Sequence, residues 1–100
     1  MDWSNFNNEI SLKQLGERIR RHRMQRNLTQ KELAEKSGIS IFTIAQMEKG
    51  KSVSMSMFID VLRAMKLLNN FEYLLPEVGI SPADLIRLGS KVPKRIKHKK

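Results

Sequence analysis

The chain has 100 residues, of which 40% are hydrophobic and 29% are charged, and its formal net charge is +9. This length and apolar content predict one small folded domain. The absence of cysteine excludes disulfides and thiolate zinc sites, and His22 and His98 are too far apart to suggest a metal pair. No stretch approaches the roughly 20 apolar residues that span a bilayer, so we expect a protein of the reducing cytoplasm with no membrane segment.

The positive charge is concentrated in two segments. The last ten residues hold six Lys or Arg and no acid, which leaves 13 basic and 10 acidic residues over residues 1–90. Such a run repels itself and buries little apolar surface, so we expect residues 91–100 to be a disordered basic tail. Residues 17–27 contain five arginines and one glutamate, a local basic surface suited to phosphates.

The first predicted helix follows an N-terminal arm of residues 1–10. Ser11 and Gln14 have the spacing of a capping box, so we expect the helix to begin at Ser11 and to run to about Arg26. Its predicted apolar stripe consists of Leu12, Leu15 and Ile19.

Residues 29–50 predict two short helices joined by a tight turn. Thr29 can open a capping box at the start of a helix over roughly 30–37, and Gly38 is suited to end that helix. A second helix is predicted over roughly 41–48. This is the pattern of a helix-turn-helix, and it indicates a nucleic-acid reader.

Three further helices are predicted after the turn. One begins after Ser54, and we expect its apolar face to form the main wall of the core; that face comprises Phe58, Ile59, Leu62 and Met65. Residues 69–76 predict a short helix with an asparagine cap that ends before Pro76. Residues 80–89 carry a serine, a proline and a glycine at the positions that begin and end a last short helix.

The sequence therefore predicts an all-α protein. We expect a compact five-helix domain over residues 11–76, a short C-terminal helix within residues 77–90, and the basic tail. That last helix could pack on the domain or on a second subunit, and the sequence leaves both open.

Three segments resemble the phage repressor and Cro-like, or Xre-type, helix-turn-helix family: L-G-E-R-I-R-R-H-R (15–23), L-T-Q-K-E-L-A-E-K-S-G-I-S (28–40) and T-I-A-Q-M-E-K-G-K (43–51). The resemblance covers residues 11 to about 75. It implies a repressor-like domain of a bacterial or phage regulator that binds double-stranded DNA at the nucleoid. The later segments are similar to regulators encoded beside HipA-type toxin kinases, which implies an antitoxin that represses its own operon and holds such a kinase.

The second helix of the motif is expected to present its outer face to the major groove. With Ile44, Met47 and Glu48 toward the core, a rotation of 100° per residue identifies the outer positions. The expected base-reading residues are Ser40, Ile41, Phe42, Ala45, Gln46 and Lys49. Gln46 is the leading candidate because its amide can bond N6 and N7 of adenine; the alternative is a solvated glutamine.

Two of these positions hold apolar residues where polar or basic side chains are usual. Either Ile41 and Phe42 contact thymine methyl groups, or Ile41 folds back into the core and Phe42 contacts a partner. The sequence leaves this choice open.

Phosphate contacts are expected at the start of the helix that Thr29 caps. Gln30 and the first backbone amides there present donors and a partial positive charge. The further candidates are Arg20, Arg21, Lys31, Lys51, Ser52 and Ser54. For any single lysine, a solvated surface charge is an equal alternative.

Arg23 lies on the same helical face as Ile19, and Glu48 lies on the inner edge of the second motif helix. The resemblance implies that an arginine and a glutamate pair at these positions, so we predict an Arg23–Glu48 salt bridge. The alternative for Arg23 is another phosphate contact.

The favoured function is a sequence-specific transcriptional regulator, a repressor, that binds a palindromic operator as a homodimer. The residues expected at the dimer interface are Phe71, Tyr73, Leu74 and Leu85. One alternative is a protein-interaction module of the same fold without DNA readout, and another is nonspecific binding through the tail. No catalytic constellation or phosphate loop occurs at motif spacing, so we expect neither enzymatic activity nor a cofactor.

Overall fold

The computed structural model describes residues 1–79, which form short helices joined by turns and contain no strand. The α-helices are α1 (Asn8–Gln25), α2 (Gln30–Ser37), α3 (Ile41–Glu48), α4 (Met55–Ala64) and α5 (Phe71–Leu74). Single 3₁₀ turns occur at Trp3–Asn5 and Leu68–Asn70. The predicted all-α, five-helix fold is confirmed for these residues. The predicted helix over 80–89 and the tail over 91–100 lie outside them.

The chain divides into two units. Residues 1–69 form the first, with α1 to α4, and the second begins at Asn70 and includes α5. Asn70 occupies the N-cap position of α5, as predicted, but its side chain makes no capping hydrogen bond there.

The start of α1 differs from the prediction. The side-chain oxygen of Asn7 accepts a hydrogen bond from the backbone N–H of Ile10 at 2.9 Å, so Asn7 caps the helix. Ser11 lies inside the helix, and its N–H donates to the carbonyl of Asn7. The predicted start at Ser11 was wrong because an earlier asparagine satisfies the same capping requirement, and the helix therefore takes in residues 8–10 of the predicted arm.

The two helices of the motif begin and end as predicted. The Thr29 hydroxyl accepts from the N–H of Glu32 at 3.0 Å, while the Glu32 carboxylate accepts from the N–H of Thr29 at 2.8 Å. Gly38 ends α2 in the left-handed conformation, with φ at +76°. Ser40 then caps α3. Side chains within this segment therefore set both helices and the turn between them.

The core lies where α1, α2, α3 and α4 meet. Its buried hydrophobic residues are Ile19, Leu33, Ala34, Ile44, Met47, Val61 and Met65. The predicted inner face of α4 was partly wrong, because Val61 is fully buried whereas Ile59 and Leu62 are only half-buried. The helix has apolar residues on more than one face, and its packing against α2 selects the face that turns inward.

α1 crosses the end of α3 at Gly16. A Cβ atom there would lie 2.5 Å from the carbonyl oxygen of Met47 and 2.7 Å from that of Glu48. Ile19 is buried on the same face, but Leu12 is half-buried and Leu15 is 39% exposed. The predicted stripe of α1 therefore buries only one of its three residues fully, and a glycine makes the closest approach.

Gly16→Ala is expected to destabilise the protein. The added methyl group meets backbone rather than flexible side chains, so we expect a loss of about 1–3 kcal/mol in the free energy of unfolding. A clash with backbone at 2.5 Å places this cost at the upper end, and the roughly 1 kcal/mol that alanine gains over glycine in a helix leaves a net loss of about 1–2 kcal/mol. Urea denaturation measures it, with the exposed Gln25→Ala in α1 as control. An unchanged or raised stability of Gly16→Ala would contradict the close crossing.

Candidate nucleic-acid interface

A nearly buried ion pair joins α1 to α3. The Nε of Arg23 donates to Oε2 of Glu48 at 2.6 Å, and Nη2 donates to Oε1 at 3.1 Å. The two side chains are only 11% and 4% exposed. The pair that the sequence predicts is therefore present, with bidentate geometry, and it accounts for the polar residue on the inner face of α1.

Two further groups complete this network. The Nη1 of Arg23 donates to the backbone carbonyl of Leu28 at 2.8 Å, and the amide nitrogen of Gln30 donates to Oε1 of Glu48 at 3.0 Å. Glu48 thus binds side chains from α1 and α2 while it lies on α3. No side-chain polar atom buried in the described part of the chain lacks a hydrogen-bond partner. The network consequently fixes the relative positions of the three helices.

Gln30 has a structural role that sequence reasoning missed. One N–H of its amide is taken by Glu48, so the side chain is held at the start of α2 rather than free to reach outward. The Thr29 hydroxyl accepts a hydrogen bond from the backbone N–H of Glu32. No described group accepts from the backbone N–H groups of Gln30 and Lys31. The first turn of α2 therefore keeps two open donors at its positive end.

The outer face of α3 matches the predicted rotation. Ile44, Met47 and Glu48 are buried on the inner side. On the outer side Ile41 is 49% exposed and Phe42 is 68% exposed. The alternative in which Ile41 folds back into the core is thus contradicted, because α3 contributes Ile44 and Met47 to the core and Ile41 is not among the residues packed there.

The remaining outer positions of α3 differ in how free they are. The Ser40 hydroxyl accepts from the N–H of Thr43 at 3.0 Å and lies 2.9 Å from the Thr43 hydroxyl, so the cap engages it. Ala45 and Gln46 are half-buried and Lys49 is exposed. Among the described residues, none offers the Gln46 side-chain amide a hydrogen bond or Lys49 an ion pair.

Other candidates for phosphate contacts fall into two groups. Lys31 and Lys51 are exposed, and neither forms an ion pair within residues 1–79; Ser52 is also exposed. Ser54 is engaged as the cap of α4, where its hydroxyl accepts from Met57 at 3.1 Å.

The arginines of α1 are largely occupied by contacts within the protein. Arg20 and Arg21 both approach Oε2 of Glu17, at 3.7 and 3.1 Å. Arg18 lies over the ring of Trp3, 5.3 Å from its centroid. Arg26 donates to the backbone carbonyl of Met65 at 3.2 Å. Arg18, Arg23 and Arg26 therefore hold neighbouring segments together, whereas the exposed pairs of Arg20 and Arg21 lie within α1 and leave both side chains accessible.

The N-terminal 3₁₀ turn carries a carboxyl group with a lowered pKa. Hydrogen bonds from the Ser4 hydroxyl and backbone N–H lower the pKa of the exposed Asp2 carboxyl, which caps the turn at Trp3–Asn5. Within residues 1–79 no group of His, Asp or Glu is arranged to hold a metal ion, and no helix is long and apolar enough to cross a membrane.

Comparison with known proteins supports the geometry of the motif. Residues 19–67, which include the C-terminal part of α1 and all of α2, α3 and α4, match a family model described as Helix-turn-helix. No curated protein matches the chain. The matched range includes both partners of the Arg23–Glu48 pair and the outer face of α3.

Replacing Arg23 by Met and Glu48 by Gln, singly and together, is expected to reveal strong coupling. Removing one partner leaves a nearly buried charge uncompensated, so each single change should cost about 3–5 kcal/mol of unfolding free energy. The double change should cost clearly less than the sum of the two. Chemical denaturation of all four proteins measures the coupling.

The control cycle uses Glu17 and Arg21. The Nε of Arg21 lies 3.1 Å from Oε2 of Glu17, but the two side chains are 76% and 44% exposed. Because water screens that pair, its coupling should stay below about 1 kcal/mol. Additive losses at Arg23 and Glu48 would contradict the role assigned to the buried pair.

Proposed function

The chain belongs to the Xre-type helix-turn-helix family of DNA-binding regulators, and on that premise we propose that it represses transcription by binding a palindromic operator as a homodimer. The observation that carries this proposal is the outer face of α3. The side chains of Gln46 and Lys49 lie there without hydrogen-bond or ion-pair partners among the described residues, while Glu48 fixes the inner face. A rigid helix with free reading groups is what sequence-specific contact with the major groove requires.

Each part of the interface has a proposed role. Gln46 reads a base edge through its amide, and Lys49 approaches a base or an adjacent phosphate. The open N–H groups at the start of α2 bind one phosphate, with Lys31 beside them, and Lys51 and Ser52 bind another. Arg20 and Arg21 add a phosphate contact, since their exposed pairs with Glu17 are weak, while Ser54 takes a smaller part because its hydroxyl caps α4.

Gln46→Ala is expected to weaken binding to the operator by about 1–3 kcal/mol and to leave binding to scrambled DNA nearly unchanged. The reason is that only the operator offers the adenine edge that the amide would bond. The operator is first selected from a pool of random duplexes, and a scrambled duplex of the same composition is made from it. Fluorescence anisotropy then measures the affinity of each variant for the two duplexes. An equal loss on the two sequences would exclude Gln46 as a base reader.

Lys51→Ala is expected to weaken binding to both sequences alike and to reduce the slope of log affinity against log salt by about 1. Lys36 provides a matched control, because it is an exposed lysine in the last turn of α2, at the opposite end of that helix from the proposed phosphate contact. Its replacement by alanine should change neither the affinity nor the salt slope. No binding by the unmodified chain, even at low salt, would favour the alternative of a protein-interaction module.

Homodimerisation is proposed through the second unit. Tyr73 is 85% exposed and Leu74 66% exposed, Phe71 is half-buried, and Leu85 lies outside the described residues. Two copies would double the contact surface and give half-sites about 10 bp apart, or a multiple of that spacing.

Leu74→Glu is expected to shift the chain to monomers, because a carboxylate would be buried in the proposed interface. Sedimentation velocity over a range of concentrations measures the shift. Ile10→Glu is the control, since Ile10 is an exposed apolar residue in the first turn of α1. If Leu74→Glu stays dimeric, the interface lies elsewhere, and if the unmodified chain is monomeric, the proposed homodimer is wrong.

The role of antitoxin is proposed only from the resemblance of the later segments to regulators that accompany HipA-type kinases. It requires a kinase gene next to this one and a stable complex of the two products. The reading frame beside the gene, followed by co-expression and co-purification, tests it.

A further inference from the structure

The leading end of α3 is apolar and exposed. Ile41 and Phe42 occupy the first two positions of the helix, and both keep about half or more of their surface in contact with solvent. The Ser40 hydroxyl accepts from the backbone N–H of Thr43 and shares one hydrogen bond with the Thr43 hydroxyl. The apolar side chains of Ile41 and Phe42 therefore form the most exposed part of the first turn of α3.

The surroundings of these two residues favour DNA over a protein as the ligand. Lys49 and Lys51 follow at the other end of α3 without ion pairs among the described residues, and α2 adds two open backbone donors. A helix that is apolar at its start and carries unpaired lysines at its end matches a polyanion that also presents apolar groups. A purely apolar partner surface would leave those charges desolvated and uncompensated.

Base edges in the major groove present one apolar group, the C5-methyl of thymine. The same carbon carries the methyl group of 5-methylcytosine, so the two bases look alike to an apolar side chain at that place. Recognition helices of this type enter the groove with their N-terminal residues leading. Ile41 and Phe42 would then be the first side chains of α3 to meet the bases.

We propose that Ile41 and Phe42 read the C5-methyl groups of pyrimidines, so that the chain accepts thymine or 5-methylcytosine and discriminates against uracil and unmethylated cytosine at those positions. This inference rests on the proposed function, because it needs α3 in the major groove. Burial of one methyl group is worth a factor of about four in affinity. Methylation of cytosine within an operator would thus change occupancy without any change in the protein.

The test begins with selection of a binding site from random DNA by the full chain. Each thymine of the selected site is then replaced by deoxyuridine, one at a time, and affinities are measured by fluorescence anisotropy. We expect a loss of about four-fold at one or two thymines in each half-site. At the same positions, a 5-methylcytosine·guanine pair should bind about four-fold more tightly than a cytosine·guanine pair.

Protein variants assign the effect to its residues. Phe42→Ala and Ile41→Ala should each abolish the methyl dependence at one position and retain the preference that Gln46 provides. Met24→Ala is the matched control, because it removes an exposed apolar side chain from α1, and it should keep the full dependence. Circular dichroism of each variant checks that α3 is intact.

The outcomes separate this inference from the function on which it rests. If no sequence is enriched, the proposed sequence-specific binding fails and the inference fails with it. If a site is selected but deoxyuridine and 5-methylcytosine have no effect, methyl reading is overturned and the regulator function stands. A loss of affinity in Phe42→Ala with no methyl dependence would instead indicate insertion of the ring between base pairs.

Discussion

The bidentate pair between Arg23 and Glu48 is the interaction on which the arrangement of the first unit depends. Glu48 is the last residue of α3, and its carboxylate binds Arg23 of α1 and Gln30 of α2. A buried charge pair is not a large source of net stability, because the desolvation of both ions offsets their attraction. Its value is geometric, since a guanidinium and a carboxylate fit in few orientations and any misplacement of the helices leaves a charge unpaired.

This constraint determines what the rest of α3 can do. The inner edge of the helix is fixed by Glu48 and by the burial of Ile44 and Met47, so its outer edge must face away from the core. The open amides at the start of α2 keep a constant relation to that edge because Gln30 is tied to the same carboxylate. An interface assembled on short helices thereby gains the rigidity that its few contacts need.

The basic residues illustrate how charge in a sequence differs from charge available for binding. Five arginines within residues 17–27 suggest a surface for phosphates, yet each has a contact inside the protein: Glu17 for Arg20 and Arg21, and Trp3, Glu48 and Met65 for Arg18, Arg23 and Arg26. Four lysines in or beside α2 and α3 form no ion pair within residues 1–79, namely Lys31, Lys36, Lys49 and Lys51. Attraction of a polyanion therefore rests on such unpaired lysines together with the exposed Arg20 and Arg21, while Arg23 is nearly buried in its pair.

The sequence by itself determined the elements that local chemistry controls. The capping box at Thr29, the left-handed Gly38 and the cap at Ser40 act over three or four residues, so α2 and α3 could be placed from the sequence alone. The start of α1 is local as well, and Asn7 rather than Ser11 caps it. Only the tertiary structure decided which of several similar groups act at longer range: Val61 rather than Ile59 in the core, and Gln30 as a partner of Glu48. The physical reason is that an apolar face or an amide is satisfied by whichever neighbour packing brings within reach, and residues distant in sequence set that packing.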